Sequence, residues 1–92
     1  MEQCVSEFIE FLSVERSASS NTINAYKSDL IQLLDYVAPH RNGSLDWHKI
    51  SPTVVQDYVI HLKSKSYAEA TLARKVAAVK SFFSFLQAEG TL

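Results

Sequence analysis

Cysteine, glycine and proline are all scarce in this chain of 92 residues, which holds one Cys, two Gly and two Pro. A lone Cys4 forms no intrachain disulfide, which excludes a disulfide scaffold and fits a reducing compartment. Two glycines, Gly43 and Gly90, build no Gly-rich phosphate loop and no nucleophile elbow. With 47% hydrophobic and 21% charged residues, the composition is that of a folded globular domain, not of a disordered or collagen-like chain. No apolar run approaches the roughly 18 residues a membrane-spanning helix needs. The acidic start, Met1-Glu2-Gln3-Cys4, lacks the basic and apolar regions of a signal peptide. These absences predict a cytoplasmic chain with no membrane partner.

What is present fits one domain spanning residues 1–92. A chain this short buries only about 60–65% of the surface its unfolded form exposes, enough for one core. It leaves little room for a deep catalytic cavity, which favours a binding or accessory module over a complete enzyme. The net charge of -1 hides an asymmetry. Residues 1–60 carry four bases against eight acids, a balance of -4. Residues 61–92 carry five bases (Lys63, Lys65, Arg74, Lys75, Lys80) against two acids, a balance of +3. The basic final third suits an anionic partner, while the small total argues against strong, purely electrostatic binding to nucleic acid.

The hydrophobic period is helical nearly throughout. Val5, Phe8, Ile9 and Leu12 follow the i, i+3, i+4, i+7 spacing of one helix face. Ile23, Tyr26, Leu30, Leu33, Leu34 and Val37 form a second stripe, and Val55, Tyr58, Val59 and Leu62 a third. Leu72, Val76, Val79, Phe83 and Leu86 form the last. The pattern predicts an all-α fold with four helices near 2–14, 20–38, 52–64 and 68–88. Ser17, Ser19 and Ser20 offer N-cap oxygens before the second helix. Pro39 and Gly43 end it and open a loop over 39–51. Ser51-Pro52 starts the third helix, Ser66 with Glu69 reads as a capping box for the fourth, and Gly90 stops that helix. Trp47 and Leu45 are expected to fold back from the loop and plug one end of the bundle. Phe85 lies off the Leu72–Phe83 stripe, so either the first helix or a neighbouring domain covers it.

No active site emerges. Cys4, His40, His48 and His61 have no metal-ligand spacing, so neither a metal nor a cofactor is expected. Glu7, Glu10 and Glu15 most simply solvate the first helix, and Cys4 reads as a small hydrophobe on a helix face. The outward faces say more. On the second helix, Asn21, Asn24, Ala25 and Ser28 make a small, polar face. On the fourth, Ala70, Arg74, Ala77, Ala78 and Ser81 do the same, flanked by Lys75 and Lys80. Small residues permit close approach, and amides, hydroxyls and Arg are the groups that bond base edges and phosphates. An ordinary solvated helix also carries such residues.

The segment Ser20-Asn21-Thr22-Ile23-Asn24-Ala25-Tyr26-Lys27-Ser28-Asp29-Leu30 resembles the N-terminal region of the tyrosine recombinases, the phage integrase family. That family shows Ser/Asn-x-Thr, a Tyr four residues on, Arg or Lys, and then Asp-Leu. Ala70-Thr71-Leu72-Ala73-Arg74-Lys75-Val76, continuing to Phe82-Phe83-Ser84-Phe85-Leu86, resembles a second family block. Ile50-Ser51-Pro52 and the opening Phe8-Ile9-Glu10-Phe11-Leu12 with Arg16 are similar to two more. The resemblance covers residues 5–90. It implies a SAM-like, four-helix core-binding domain, N-terminal to a catalytic domain, forming half of a C-shaped clamp on double-stranded DNA. It implies that the second and fourth helices face the major groove, and that the whole protein cuts and rejoins a recombination site through a phosphotyrosine link.

On that reading the DNA-binding residues are Asn21, Thr22, Asn24, Lys27 and Ser28 with Thr71, Arg74, Lys75, Lys80 and Ser81, and Arg74 leads. Thr22 and Thr71 have the alternative of bonding backbone N–H groups at helix starts, and Lys27 of lying along the bundle edge. The family's catalytic tyrosine and its Arg, Lys and His partners belong to the other domain, and Tyr26, Tyr36, Tyr58 and Tyr67 match none of them. The chain is therefore expected to be a non-enzymatic, monomeric domain excised from a longer recombinase. Ala68 departs from the family, which often has a capping Ser or a Lys there. The rival reading is a helical protein–protein interaction module with no nucleic-acid role; a small enzyme is a distant third.

Overall fold

A computed structural model of the chain describes residues 2–37 and 46–91. Among the described residues lie four helices, α1 (Gln3–Val14), α2 (Ser20–Val37), α3 (Pro52–Lys63) and α4 (Glu69–Ala88), with a 3-10 turn at Trp47–Lys49. There is no strand among the described residues. The all-α expectation holds. Pro39, His40, Gly43 and Leu45, on which the loop expectation partly rests, lie outside the described residues.

Local chemistry sets most helix ends. Glu2 caps α1 by accepting from the Val5 N–H at 2.9 Å. Ser19 does the same for α2, its Oγ accepting from the Thr22 N–H at 3.2 Å. Ser51 caps α3 through the Val54 N–H at 3.3 Å, with Pro52 in the first turn. The start of α4 corrects the expectation. Its N-cap is Ala68, which offers no side-chain bond, so the box of Ser66 and Glu69 does not form. Ser66 stands two residues ahead of the cap, and Glu69 is the first helical residue, where its charge meets the positive end of the helix dipole. The end of α4 is a Schellman closure. Gly90 takes φ +76°, its N–H donates to Gln87 O at 3.1 Å, and the Thr91 N–H donates to Leu86 O at 2.9 Å.

The core gathers Val5, Phe8 and Leu12 of α1, Leu30 and Leu33 of α2, Tyr58 and Leu62 of α3, and Val79, Phe82, Phe85 and Leu86 of α4. Phe82 is its centre, with rings edge-on from Phe8 at 5.6 Å and Trp47 at 4.9 Å. Trp47 does fold back. It is buried, and its Nε1–H donates to Glu2 Oε2 at 2.9 Å. One carboxylate thus caps α1 and holds the turn at Trp47–Lys49. Phe85 is covered from within, by Phe8 at 5.4 Å and Phe11 at 5.1 Å.

The buried face of α4 is rotated from the Leu72–Phe83 stripe. Ala78, Val79, Phe82, Phe85 and Leu86 are buried, whereas Leu72, Val76 and Phe83 are only half-buried. Ala78, expected on the outward face, is fully enclosed. The rotation also brings Arg74 and Lys75 toward α2, the helix against which α4 packs most extensively.

Candidate nucleic-acid interface

The ten residues singled out from the sequence do not form one surface. Asn21, Thr22, Asn24, Lys27 and Ser28 are spread along α2, Asn24 and the others on its solvent side except where α4 approaches. Arg74, Lys80 and Ser81 are exposed on α4, while Thr71 and Lys75 are half-buried. Asn21 and Thr22 share a shallow cleft with Arg74, floored by Ala25 and Tyr26. Lys80 and Ser81 instead border a groove between α1 and α4, beside Arg16. Lys80 also borders an apolar groove between α3 and α4, lined by Val55, Val59, Ile60 and Phe83. Thr22 takes part in the start of α2, as its alternative reading had it: its Oγ1 accepts from Ser19 Oγ at 3.0 Å.

Beneath the cleft lies a charge cluster centred on Asp29, which is 1% exposed. Arg74 reaches it with two parallel bonds, Nε to Oδ2 at 2.9 Å and Nη2 to Oδ1 at 3.0 Å. Lys75 Nζ donates to the same Oδ1 at 3.0 Å and to Gln32 Oε1 at 2.8 Å. Gln32 Nε2 in turn donates to Tyr67 Oη at 2.8 Å. The Lys75 ammonium also sits 5.1 Å from the centre of the Tyr67 ring. The cluster joins α2, the α3–α4 connection and α4, and among the described residues no buried side-chain polar atom lacks a partner.

The two cations of this cluster differ in what they can still do. The Lys75 side chain is 11% exposed and its ammonium is spent on Asp29, Gln32 and Tyr67. The Arg74 side chain is 41% exposed, and its Nη1 group is not among the atoms that bond Asp29. The Asp29 hydrogen bonds raise the Arg74 guanidinium further above its ordinary value, so it is charged at every working pH. One carboxylate against two cations leaves the cluster with a surplus positive charge below the cleft.

Sequence reasoning missed Asp29, Gln32 and Tyr67 as members of a site. A signal for Asp29 existed. Tyr26, Asp29, Leu30 and Leu33 keep the i, i+3, i+4, i+7 spacing, which sets an acid on the buried face of α2. A buried acid requires a cation, and the basic surplus of α4 supplies it.

Other reactive groups are quiet. Burial pushes the Tyr58 phenol well above its ordinary value, which keeps it protonated. Burial, with Glu2 and Glu7 nearby, also raises the Cys4 thiol, which keeps it protonated. No group of three or more His, Cys, Asp or Glu is placed to hold a metal among the described residues. No helix among them is long and apolar enough to cross a membrane.

Comparison with known proteins places this geometry in context. Residues 5–90 match the model of the phage integrase N-terminal SAM-like domain. Over 92 residues the chain is 38% identical to "Tyrosine recombinase XerC" of Herpetosiphon aurantiacus, covering all of this chain and 29% of that protein. Over 86 residues it is 35% identical to "Tyrosine recombinase XerD" of Oceanobacillus iheyensis, covering 94% of this chain and 29% of that protein. The chain therefore spans under a third of the length of these relatives. No solved structure matches.

Proposed function

Because this chain belongs to the phage integrase N-terminal SAM-like domain family, we propose that it binds duplex DNA through α2 and α4 and positions a separate catalytic domain for strand cleavage and rejoining. The observation that carries the reading is the cleft where Asn21 and Thr22 of α2 meet Arg74 of α4. An arginine fixed beside an amide and a hydroxyl suits the acceptor-rich major groove. Asn24, Ser28 and Thr71 extend the polar surface, and Lys27, Lys80 and Ser81 serve the flanking phosphates. Lys75, held by Asp29 and Gln32, supports Arg74 from behind. The chemistry of recombination belongs to residues outside this chain.

The test is the salt dependence of binding, read as fluorescence anisotropy of a labelled mixed-sequence duplex. Affinity falls as salt rises. Lys27→Ala or Lys80→Ala lowers the slope of log K against log salt by about 0.9 for each phosphate that is no longer neutralised. Absence of binding at low salt, or binding indifferent to salt, overturns the proposal. One observation favours a second reading, a protein-docking module. The groove between α3 and α4 is chiefly apolar, and Ile60 on its edge is 64% exposed. Under that reading, substitution of Ile60 weakens partner capture, and the chain shows no salt-dependent binding of duplex.

A further inference from the structure

We propose that Asp29 is a positioning residue that turns Arg74 into a fixed two-donor fork, and that this fork reads a guanine base edge rather than a phosphate. The inference rests on the DNA-binding reading above and deepens it to a single base contact. Asp29 takes the Nε–H and one Nη2–H of Arg74. The guanidinium has five N–H donors in one plane. Those left are both on Nη1 and the second on Nη2, and the outer pair forms a parallel fork at the far end of the group. Guanine presents O6 and N7 side by side in the major groove, and a bidentate arginine is their usual partner. The cleft holding Arg74 also carries the Asn21 and Thr22 side chains, which can bond neighbouring base edges.

Two arguments select the base over the phosphate. The first is charge. Asp29 lies 2.9 Å from the guanidinium it holds. A carboxylate so close offsets most of that guanidinium's pull on a phosphate and leaves the surplus charge on the half-buried Lys75, whereas a base edge calls for placed donors rather than net charge. A phosphate is better served by the exposed Lys27 and Lys80, whose ammonium groups are not drawn to Asp29. The second is orientation. A phosphate accepts donors from many directions, so a mobile cation suffices. Two acceptors on one base edge demand a fork in a set plane, and a side chain already held in that plane loses less freedom on binding. Asp29 is itself held by Lys75, which Gln32 and Tyr67 fix in turn. The fork therefore stands on a closed network of buried and half-buried groups.

The test uses the 92-residue chain and a duplex selected from a random pool by the wild type. Each G·C pair of that duplex is replaced in turn by A·T, and binding is measured for wild type, Arg74→Lys and Asp29→Asn. The wild type is expected to lose roughly tenfold or more in affinity at one G·C position. In both variants that penalty falls to about twofold or less. Asp29→Asn is expected at the same time to bind mixed-sequence duplex as tightly as wild type or more so, because a negative charge is gone from the interface. A merely structural Asp29 would lower specific and non-specific binding together. Arg74→Lys keeps the charge opposite Asp29 but has no fork, and it carries the test by itself if Asp29→Asn lacks a helical circular-dichroism spectrum. A G·C penalty that survives in Arg74→Lys or in folded Asp29→Asn overturns the proposal. So does a wild type with no such position. A wild type that binds no duplex at all overturns the DNA-binding reading beneath it.

Discussion

Near its start, α4 is tied to α2 by charge: Arg74 and Lys75 converge on the buried carboxylate of Asp29. Near its end, the same helix is tied to α1 by aromatic rings: Phe82 and Phe85 pack on Phe8, and Phe85 also meets Phe11. The two contacts have different uses. Burying rings is a large, non-directional gain that holds helices together. Burying a paired charge gains little net stability, because desolvation offsets most of the attraction. What the charge cluster supplies is direction. It fixes where one guanidinium points, on the side of the molecule where α2 and α4 share an exposed cleft. The aromatic end stabilises the bundle, and the ionic end organises a surface.

Substitutions can break or sharpen that contrast. The largest effect is expected from Phe82→Ala at the dry end, about 4 kcal/mol, a large part of the stability of so small a domain. Urea denaturation followed by circular dichroism measures it. A loss below about 1.5 kcal/mol, the scale of a volume-conserving swap, would show that the ring cluster does not dominate. Next is Asp29→Leu at the ionic end, which leaves Lys75 and Arg74 without the acceptor they share. It should cost about 3 kcal/mol, the low end for breaking a buried pair, because the exposed Arg74 can turn to water. If the cost instead matches Phe82→Ala, the division between the two ends fails.

Gly90→Ala should cost about 1 kcal/mol, all of it backbone strain at φ +76°, since an added Cβ meets no neighbour within 4 Å. An unchanged melting temperature would mean that the closure after α4 contributes nothing. The smallest effect has the opposite sign. Ala68→Asp supplies the missing cap at the ionic end and should stabilise by about 0.5–1 kcal/mol. A lower melting temperature would contradict the assigned start of α4.

Helix positions were legible in the sequence because their signals are local. Ser51-Pro52 and the 3.6-residue spacing of Val5, Phe8 and Leu12 depend on nothing distant. The buried face of α4 was not legible. Leu72, Val76, Val79, Phe83 and Leu86 keep a helical spacing, but so do Ala78, Val79, Phe82, Phe85 and Leu86. The choice between them is made by Phe8, Phe11 and Trp47, which arrive from elsewhere in the chain. Asn21, Thr22 and Arg74 could be chosen as polar, outward residues, yet their common cleft depends on how α2 meets α4. Asp29 had a readable spacing, but its partners Arg74 and Lys75 lie 45 and 46 residues away. Periodicity says that a residue is buried. It does not say against what.

The account's central claim is that the α2–α4 cleft is the face that meets DNA. The most direct test is an amide chemical-shift titration of the chain with a mixed-sequence duplex at low and moderate salt. The account predicts shifts confined to residues 21–28 and 70–81, strongest around Asn21, Thr22 and Arg74 and fading as salt rises. Shifts centred on Val55, Val59 and Ile60, or no shifts even at low salt, would contradict it.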